Sequence, residues 1–451
     1  MKLTFSGANR EVTGSCYHLE TPHANVVLDC GMFQGGKYAE DKNSLPFPFD
    51  PSKVDAMVLT HAHFDHTGRL PKLYKEGFRG KIYCTAPTAE LSMLNLRDAV
   101  HLMADEAERH HHKPLYTVED VEPLEDLWHT VDYHREYEVA PGISTYLTDA
   151  GHILGSASVK MSSEKASIAF SGDLGNTPVP LLHSTECLMG AGTVVIESTY
   201  GNRIHEPHTE RYSILTDAIR QTAAEKGTLL IPAFALERSQ ELLYELHHLL
   251  ATKQIPKMPI FLDSPLAIAA TEVFQKHFDY FNSEARVAIE RGQELFSFPG
   301  LKFTQTAQES KAILNVPGPK IIIAGSGMMN GGRILHHIKN YIQQKNTTLL
   351  IIGFQVEGSL GRMLHDGAKK IHVYGEQLEV HAKVKSFGAF SGHADYPRLM
   401  NWLRCFAQHP PQQVFVTHGE LNSALSFSQS VEEQLNIPSG VPEYAEVVEL
   451  K

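Results

Sequence analysis

The sequence predicts an α/β protein in which a β-rich unit is interrupted by a second unit of alternating strands and helices. Three observations predict it. Up to about residue 200, short apolar segments are punctuated by Gly and Pro, with one long helical stretch from about Pro87 to Lys113. From about 205 to 385, strands alternate with amphipathic helices, which implies a mainly parallel sheet with crossover connections. Beyond about 385, isolated Gly- and His-containing motifs return.

In chain order, Met1 to Gly7 reads as a first strand, so a cleavable leader is not expected. Val26 to Gly31 is a short buried strand carrying Asp29 near its end. A second apolar run, Val58-Leu59-Thr60, leads into His61-Ala62-His63-Phe64-Asp65-His66-Thr67-Gly68. In the interrupting segment, strands are predicted at Thr228 to Ile231, Pro259 to Leu262, Lys320 to Ala324 and Thr348 to Gly353. Helices are predicted at Glu237 to Leu250, Pro265 to His277 and Arg333 to Ile342. The triplet His110-His111-His112 and the pairs His247-His248 and His336-His337 read as solvated helix positions.

The run from His61 to His66 carries the chemistry. On an extended segment, His61 and His63 share one face and can hold one ion. Asp65 and His66 lie where the chain turns and can reach a second ion close by. Imidazole with carboxylate suits zinc, and carboxylate tolerates manganese or iron. This HxHxDH run is similar to the signature of the metallo-β-lactamase superfamily. In the order the resemblance implies, His152 within Gly151-His152-Ile153-Leu154-Gly155 would complete the first histidine set, and Asp173 within Ser171-Gly172-Asp173 would be the carboxylate bridge.

Composition narrows the setting. With 451 residues, 42% of them hydrophobic, the chain can bury one large core or two moderate ones. No run approaches a membrane span, so no membrane partner is expected. The five cysteines are scattered without a CxxC pair, which argues for reduced thiols, a cytoplasmic setting and no cysteine-based metal site. The formal charge of -12 runs against a phosphate-binding partner, although a dinuclear cation site is itself strongly positive. It predicts weak nonspecific binding away from the active cleft.

Further motifs make the resemblance specific. Gly7 to Cys16 and Asp29-Cys30-Gly31-Met32-Phe33-Gln34-Gly35 resemble the opening and first motif of the β-CASP family, the nucleic-acid-processing branch of the superfamily. Glu197-Ser198-Thr199-Tyr200 is similar to its motif A, Ser391-Gly392-His393-Ala394-Asp395 to motif B, and His418 after an apolar strand to motif C. The resemblance implies a metallo-β-lactamase αββα sandwich over 1–203, an inserted α/β β-CASP domain over 204–385 capping the active-site cleft, and completion of the sandwich over 386–451. The size resembles the compact bacterial group, with no expected KH-type module before it and no ribonuclease J type domain after it.

The implied ligands are His61, His63, His152 and Asp173 for one ion, and Asp65, His66, Asp173 and His418 for the other, with Asp29 behind them orienting the rings. The implied cofactors are two Zn2+ ions, with Mn2+ as a substitute. The implied reaction is hydrolysis of single-stranded RNA by a metal-bridged hydroxide, leaving 5′-phosphate and 3′-hydroxyl, with Asp65, His393 and Glu197 catalytic. Histidine at motif C accompanies RNA-acting members. Ser326, Gly327, Arg333 and Arg362, around glycine-rich turns before helices, are candidate phosphate contacts. Internal and 5′-terminal cutting both stay open, as does a homodimer. A DNA-preferring nuclease and a non-catalytic scaffold are the competing readings; a small-molecule hydrolase would lack the insert.

Overall fold

A computed structural model describes residues 1–35, 41–110 and 113–450. It divides into two compact units, the first formed by Met1–Thr177, Ser184–Ile204 and His393–Lys451, the second by Pro178–His183 and His205–Gly392. The second unit thus takes in 178–183 and 386–392, beyond the 204–385 span read for the insert. Asn282 explains the first addition: its backbone N–H donates to Leu181 O at 2.8 Å and its side chain to Pro180 O at 3.0 Å. His111 and His112 lie outside the described residues.

The first unit contains two seven-stranded sheets. One runs Val447–Glu449, Lys2–Phe5, Cys16–Glu20, Asn25–Cys30, Ala56–Val58, Lys81–Cys84 and Trp128–Thr130. The other runs Ser439–Gly440, Gln413–Thr417, Thr193–Glu197, Ser167–Phe170, Ala157–Ser162, Ile143–Asp149 and Glu136–Ala140. Alternation along the strands sends one set of apolar side chains inward. Leu3, Phe5, Tyr17, Leu28, Phe170, Val195 and Phe415 form the core between the sheets. Phe5 and Phe415 meet edge to face at 5.1 Å. The opposite faces are covered by helices: Ala86–His110 packs Met93, Leu96 and Val100 on the first sheet, and Tyr396–Arg404 with Leu421–Leu435 packs Leu399, Leu403 and Phe427 on the second. The result is an αββα sandwich.

The second unit is built on a six-stranded sheet in the order Leu301–Phe303, Ile260–Asp263, Lys320–Ala324, Thr228–Pro232, Thr347–Ile351 and Lys383–Ser386. Every pairing in it is parallel. Ile321 to Ile323 and Leu229 to Ile231 are apolar without alternation because helices cover both faces. The helices Arg238–Ala251, Pro265–Lys276 and Arg333–Tyr341 stand within a residue of the positions their patterns predict.

Two expectations are corrected here. Cys187 and Cys405, 218 residues apart, form a disulfide, so the cysteines are not all reduced thiols. The first unit's fold brings the loop before Thr193–Glu197 against the end of Tyr396–Arg404, where Trp402 Nε1 also donates to Glu186 O at 3.2 Å. Thiol titration in denaturant without reductant is expected to find three groups, Cys16, Cys30 and Cys84; five would show the pair reduced. His337 is not solvated either. It is buried, with Nε2 2.7 Å from Asp263 Oδ2, because its position on Arg333–Tyr341 faces the sheet. Among the described residues no helix is long and apolar enough to cross a membrane.

Candidate metal centre

The proposed ligands lie in the segments that follow strands of the first unit, with Asp65 and His66 inside the short helix Phe64–Thr67. Asp29 lies in Asn25–Cys30, and the parallel neighbour Ala56–Val58 delivers the run from Thr60 to His66. In the other sheet, Ile143–Asp149 leads to His152 and Ser167–Phe170 to Asp173. Thr193–Glu197 ends in Glu197, and Gln413–Thr417 leads to His418. Those last two strands are parallel and in register, with Glu197 opposite Thr417, so motif A and motif C turns emerge side by side.

The side chains converge as two groups sharing one carboxylate. In the first, His63 Nδ1 is 3.2 Å from His61 Nε2 and 3.1 Å from His152 Nε2. Asp173 Oδ2 lies 3.4 Å from His61 Nε2 and 3.6 Å from His152 Nε2. In the second, His66 Nε2 and His418 Nε2 are 3.2 Å apart. Asp173 Oδ1 is 3.3 and 3.5 Å from them, and Asp65 Oδ2 is 3.4 Å from His418 Nε2. Ligand atoms placed tetrahedrally at about 2.0–2.1 Å from an ion are about 3.3–3.4 Å apart. The observed spacings are compatible with metal ligation in each group, and the two groups share Asp173.

Electrostatics agree with a cation at each point. Asp173 is buried, and neither oxygen has a hydrogen-bond partner. Burial opposes its charge, yet His418, His66 and His61 hold its carboxyl well below the usual range. Burial holds His61, His63 and His152 below the ordinary imidazole value, hence neutral, the state that ligates metal. Burial pulls His66 the same way, but Asp173 and Asp29 outweigh it and raise it well above the ordinary value. The two carboxylates that favour positive charge on this ring would equally favour a cation beside it. The donor set of imidazoles and carboxylates therefore fits a divalent metal.

The supporting residues fix the rings. Asp29 Oδ2 is 2.7 Å from His66 Nδ1, which leaves Nε2 for the second group. It also accepts the Thr60 hydroxyl at 2.8 Å, while Oδ1 accepts Thr60 N–H at 2.8 Å. Thr60 Oγ1 in turn lies 3.0 Å from His61 Nδ1. Asp29 and His418 have φ of 56° and 48°, left-handed conformations held by this network and its equivalent around motif C. Thr60 and Thr199 are supporting residues that sequence reasoning missed; Thr60's position directly before the histidine run was the available signal.

His393 sits at the edge of the same cluster. Its Nδ1 is 3.2 Å from Glu197 Oε2 and 3.8 Å from Asp173 Oδ2. Glu197 is fully buried, and its Oε1 accepts Leu174 N–H at 2.7 Å. Burial works against a charged His393, but Glu197 and then Asp173 outweigh it, and its pKa is pushed up to about 9.

The candidate phosphate contacts lie in the second unit and are engaged there. Ser326 Oγ donates to Gly331 O at 3.2 Å, and Gly327 packs so closely on Phe234 that a Cβ would come within 2.6 Å of the ring. Arg333 donates to Asp263 Oδ1 at 2.7 Å and to the carbonyls of Thr304 and Gln305. Arg362 Nε donates to Asp366 Oδ2 at 2.9 Å. Among the described residues, Arg333 is thus one of four side chains bonded to the buried Asp263, together with His337, Ser310 and Thr304.

Comparison with known proteins places this geometry. The metallo-beta-lactamase superfamily matches residues 9–233, the Beta-Casp domain 239–364, and the Zn-dependent metallo-hydrolase RNA specificity domain 377–442. Ribonuclease TTHA0252 of Thermus thermophilus is 38% identical over 429 residues, covering 95% of each chain. The chain belongs to the β-CASP family of the metallo-β-lactamase superfamily. An RNase J-like protein of Methanocaldococcus jannaschii is 31% identical, covering 98% of this chain and 97% of its own. Transcription termination factor FttA of Methanosarcina mazei is 31% identical over the whole of this chain and 72% of its own. A solved structure from Enterococcus faecalis, of a protein of unknown function, matches 99% of both chains with a TM-score of 0.57 at 12% identity, a likeness of fold. This β-CASP protein is a metallo-hydrolase with histidine and aspartate clusters suited to divalent metal.

Proposed function

We propose that this β-CASP protein, a metal-dependent nuclease, is a zinc-dependent ribonuclease that hydrolyses single-stranded RNA to 5′-phosphate and 3′-hydroxyl ends. The observation that carries the reading is the pair of ligand groups sharing Asp173, with the Glu197–His393 pair beside it. Ribonucleases among the relatives and the RNA specificity domain over 377–442 support RNA as the polymer.

His61, His63, His152 and Asp173 would hold one ion, and Asp65, His66, His418 and Asp173 the other. Two zinc ions, when bound, would supply a water of near-neutral pKa and positive charge for the equatorial phosphoryl oxygens. Burial opposes the charge of Asp65, but His418 and His66 hold its carboxyl well below the usual range, which suits it to orienting the attacking water more than to keeping a proton. His393, charged through Glu197, would give its proton to the departing ribose O3′. Asp29 would act behind the ligands by fixing His66.

The test is cleavage of matched single-stranded RNA and DNA, 5′-labelled in one sample and internally labelled in another, by zinc-loaded protein, Asp65→Ala and His393→Ala. RNA-selective cutting lost in both variants is the expected result. The label pattern separates internal from 5′-terminal attack. Preference for DNA would select the competing nuclease reading, and two bound ions without cutting of either polymer would select the scaffold.

A further inference from the structure

We propose that Thr199 is a positioning residue whose single hydroxyl sets the tautomer of His418 and also faces the His393 Nδ1–H held by Glu197, linking the second ion's ligand to the proton donor. The proposal rests on the metal-ligand reading above. Thr199 is buried, and its Oγ1 lies 3.1 Å from His418 Nδ1, 3.4 Å from His393 Nδ1 and 3.2 Å from His418 O. A hydroxyl has one proton to donate and two lone pairs. His418 O can only accept, and beside the Ser198 N–H it keeps a second lone pair at 3.2 Å for the Thr199 proton, the direction the geometry gives. Both ring nitrogens then face lone pairs, and each must itself be an N–H donor.

The consequence differs at the two rings. With a proton on Nδ1, neutral His418 has its free lone pair on Nε2, the atom 3.4 Å from Asp65 Oδ2 and 3.5 Å from Asp173 Oδ1. That is the tautomer that ligates. At His393 the Nδ1 proton is shared between Glu197 and Thr199, so Nε2 is the nitrogen left to carry a transferable proton. Had His418 been protonated on Nε2 instead, that hydrogen would point into the ligand cluster and exclude an ion.

Thr199 is itself held in place. Ser198 N–H donates to His418 O at 3.1 Å, and Ser198 Oγ donates to Thr417 O at 2.9 Å. Ser423 Oγ donates to Ser198 O at 2.6 Å. Gly419 approaches Ser198 so closely that an added Cβ would lie 2.2 Å from its Oγ. These contacts fix the motif A turn against the motif C turn and hold His418 in its left-handed conformation.

Zinc titration against a competing chelator, with nitrogen-15 spectra of the histidine rings, tests the proposal on wild type, Thr199→Val and Thr199→Ser. In zinc-loaded wild type, His418 is expected as the Nδ1–H tautomer; an Nε2–H ring overturns the proposal without any variant. Thr199→Val is expected to bind the second ion about 10–100-fold more weakly, the usual cost of losing such an outer partner. Thr199→Ser should restore it, and the first ion should be unaffected in both. Equal loss in Thr199→Ser would assign the effect to packing and overturn the proposal, as would wild-type affinity in Thr199→Val. Two ions bound without any RNA cutting would remove the nuclease reading and leave the role of Thr199 intact.

Discussion

Asp173→Asn is expected to abolish the proposed RNA cleavage and to lower bound zinc from the proposed two ions per chain to one or fewer at matched free zinc. Two oxygens of this residue face four ligand nitrogens, His61 and His152 on one side and His66 and His418 on the other, at 3.3–3.6 Å. The amide has the same shape but one oxygen and no charge, so it cannot serve both groups. Outer partners of ligands are worth about 10–100-fold in metal affinity, and a shared inner carboxylate should exceed that. Activity should fall by more than the roughly 10²–10³-fold that loss of one electrostatic donor costs. Metal analysis and steady-state rates, alongside an unchanged far-UV spectrum, check this. Two retained ions and near-normal turnover would show that Asp173 does not bridge.

Much of this was legible in the sequence because the relevant signals are local. The histidine run needs six positions at the end of one strand, and the parallel strands announce themselves through apolar runs such as Ile321 to Ile323. What escaped the sequence depends on pairing across long separations. Thr199 meets His418 across 219 residues, through strands whose register no local pattern encodes. Cys187 and Cys405 meet in the same way. His337 and Arg333 were read as a solvated residue and a phosphate contact. Both serve Asp263, a carboxylate buried at the end of Ile260–Asp263 and also bound by Ser310 and Thr304. A buried charge some 70 positions away in sequence is invisible to helix periodicity, yet it decides where those two side chains go.

Glu197→Gln is expected to move the alkaline limb of kcat/KM to lower pH by about 1–2 units while leaving metal content unchanged. The sign follows from His393. Its pKa is raised above the ordinary value, so the proton-donating form is present below about 9 and is lost as pH rises through that value. Bound cations act in the opposite direction, which puts the limb of the zinc-loaded enzyme at or below about 9. Removing the Glu197 charge, 3.2 Å from Nδ1, removes the largest contribution that raises it. His393→Ala should cost about 10²–10⁴-fold, the usual worth of a positioned acid. The same variants offer a chemical control. An RNA carrying sulfur in place of the bridging O3′ has a leaving group that departs without a proton, so both should cut it at close to the wild-type rate. Equal defects on the oxygen and sulfur substrates would mean that His393 acts on something other than the leaving group, and an unmoved limb in Glu197→Gln would detach Glu197 from the acid altogether.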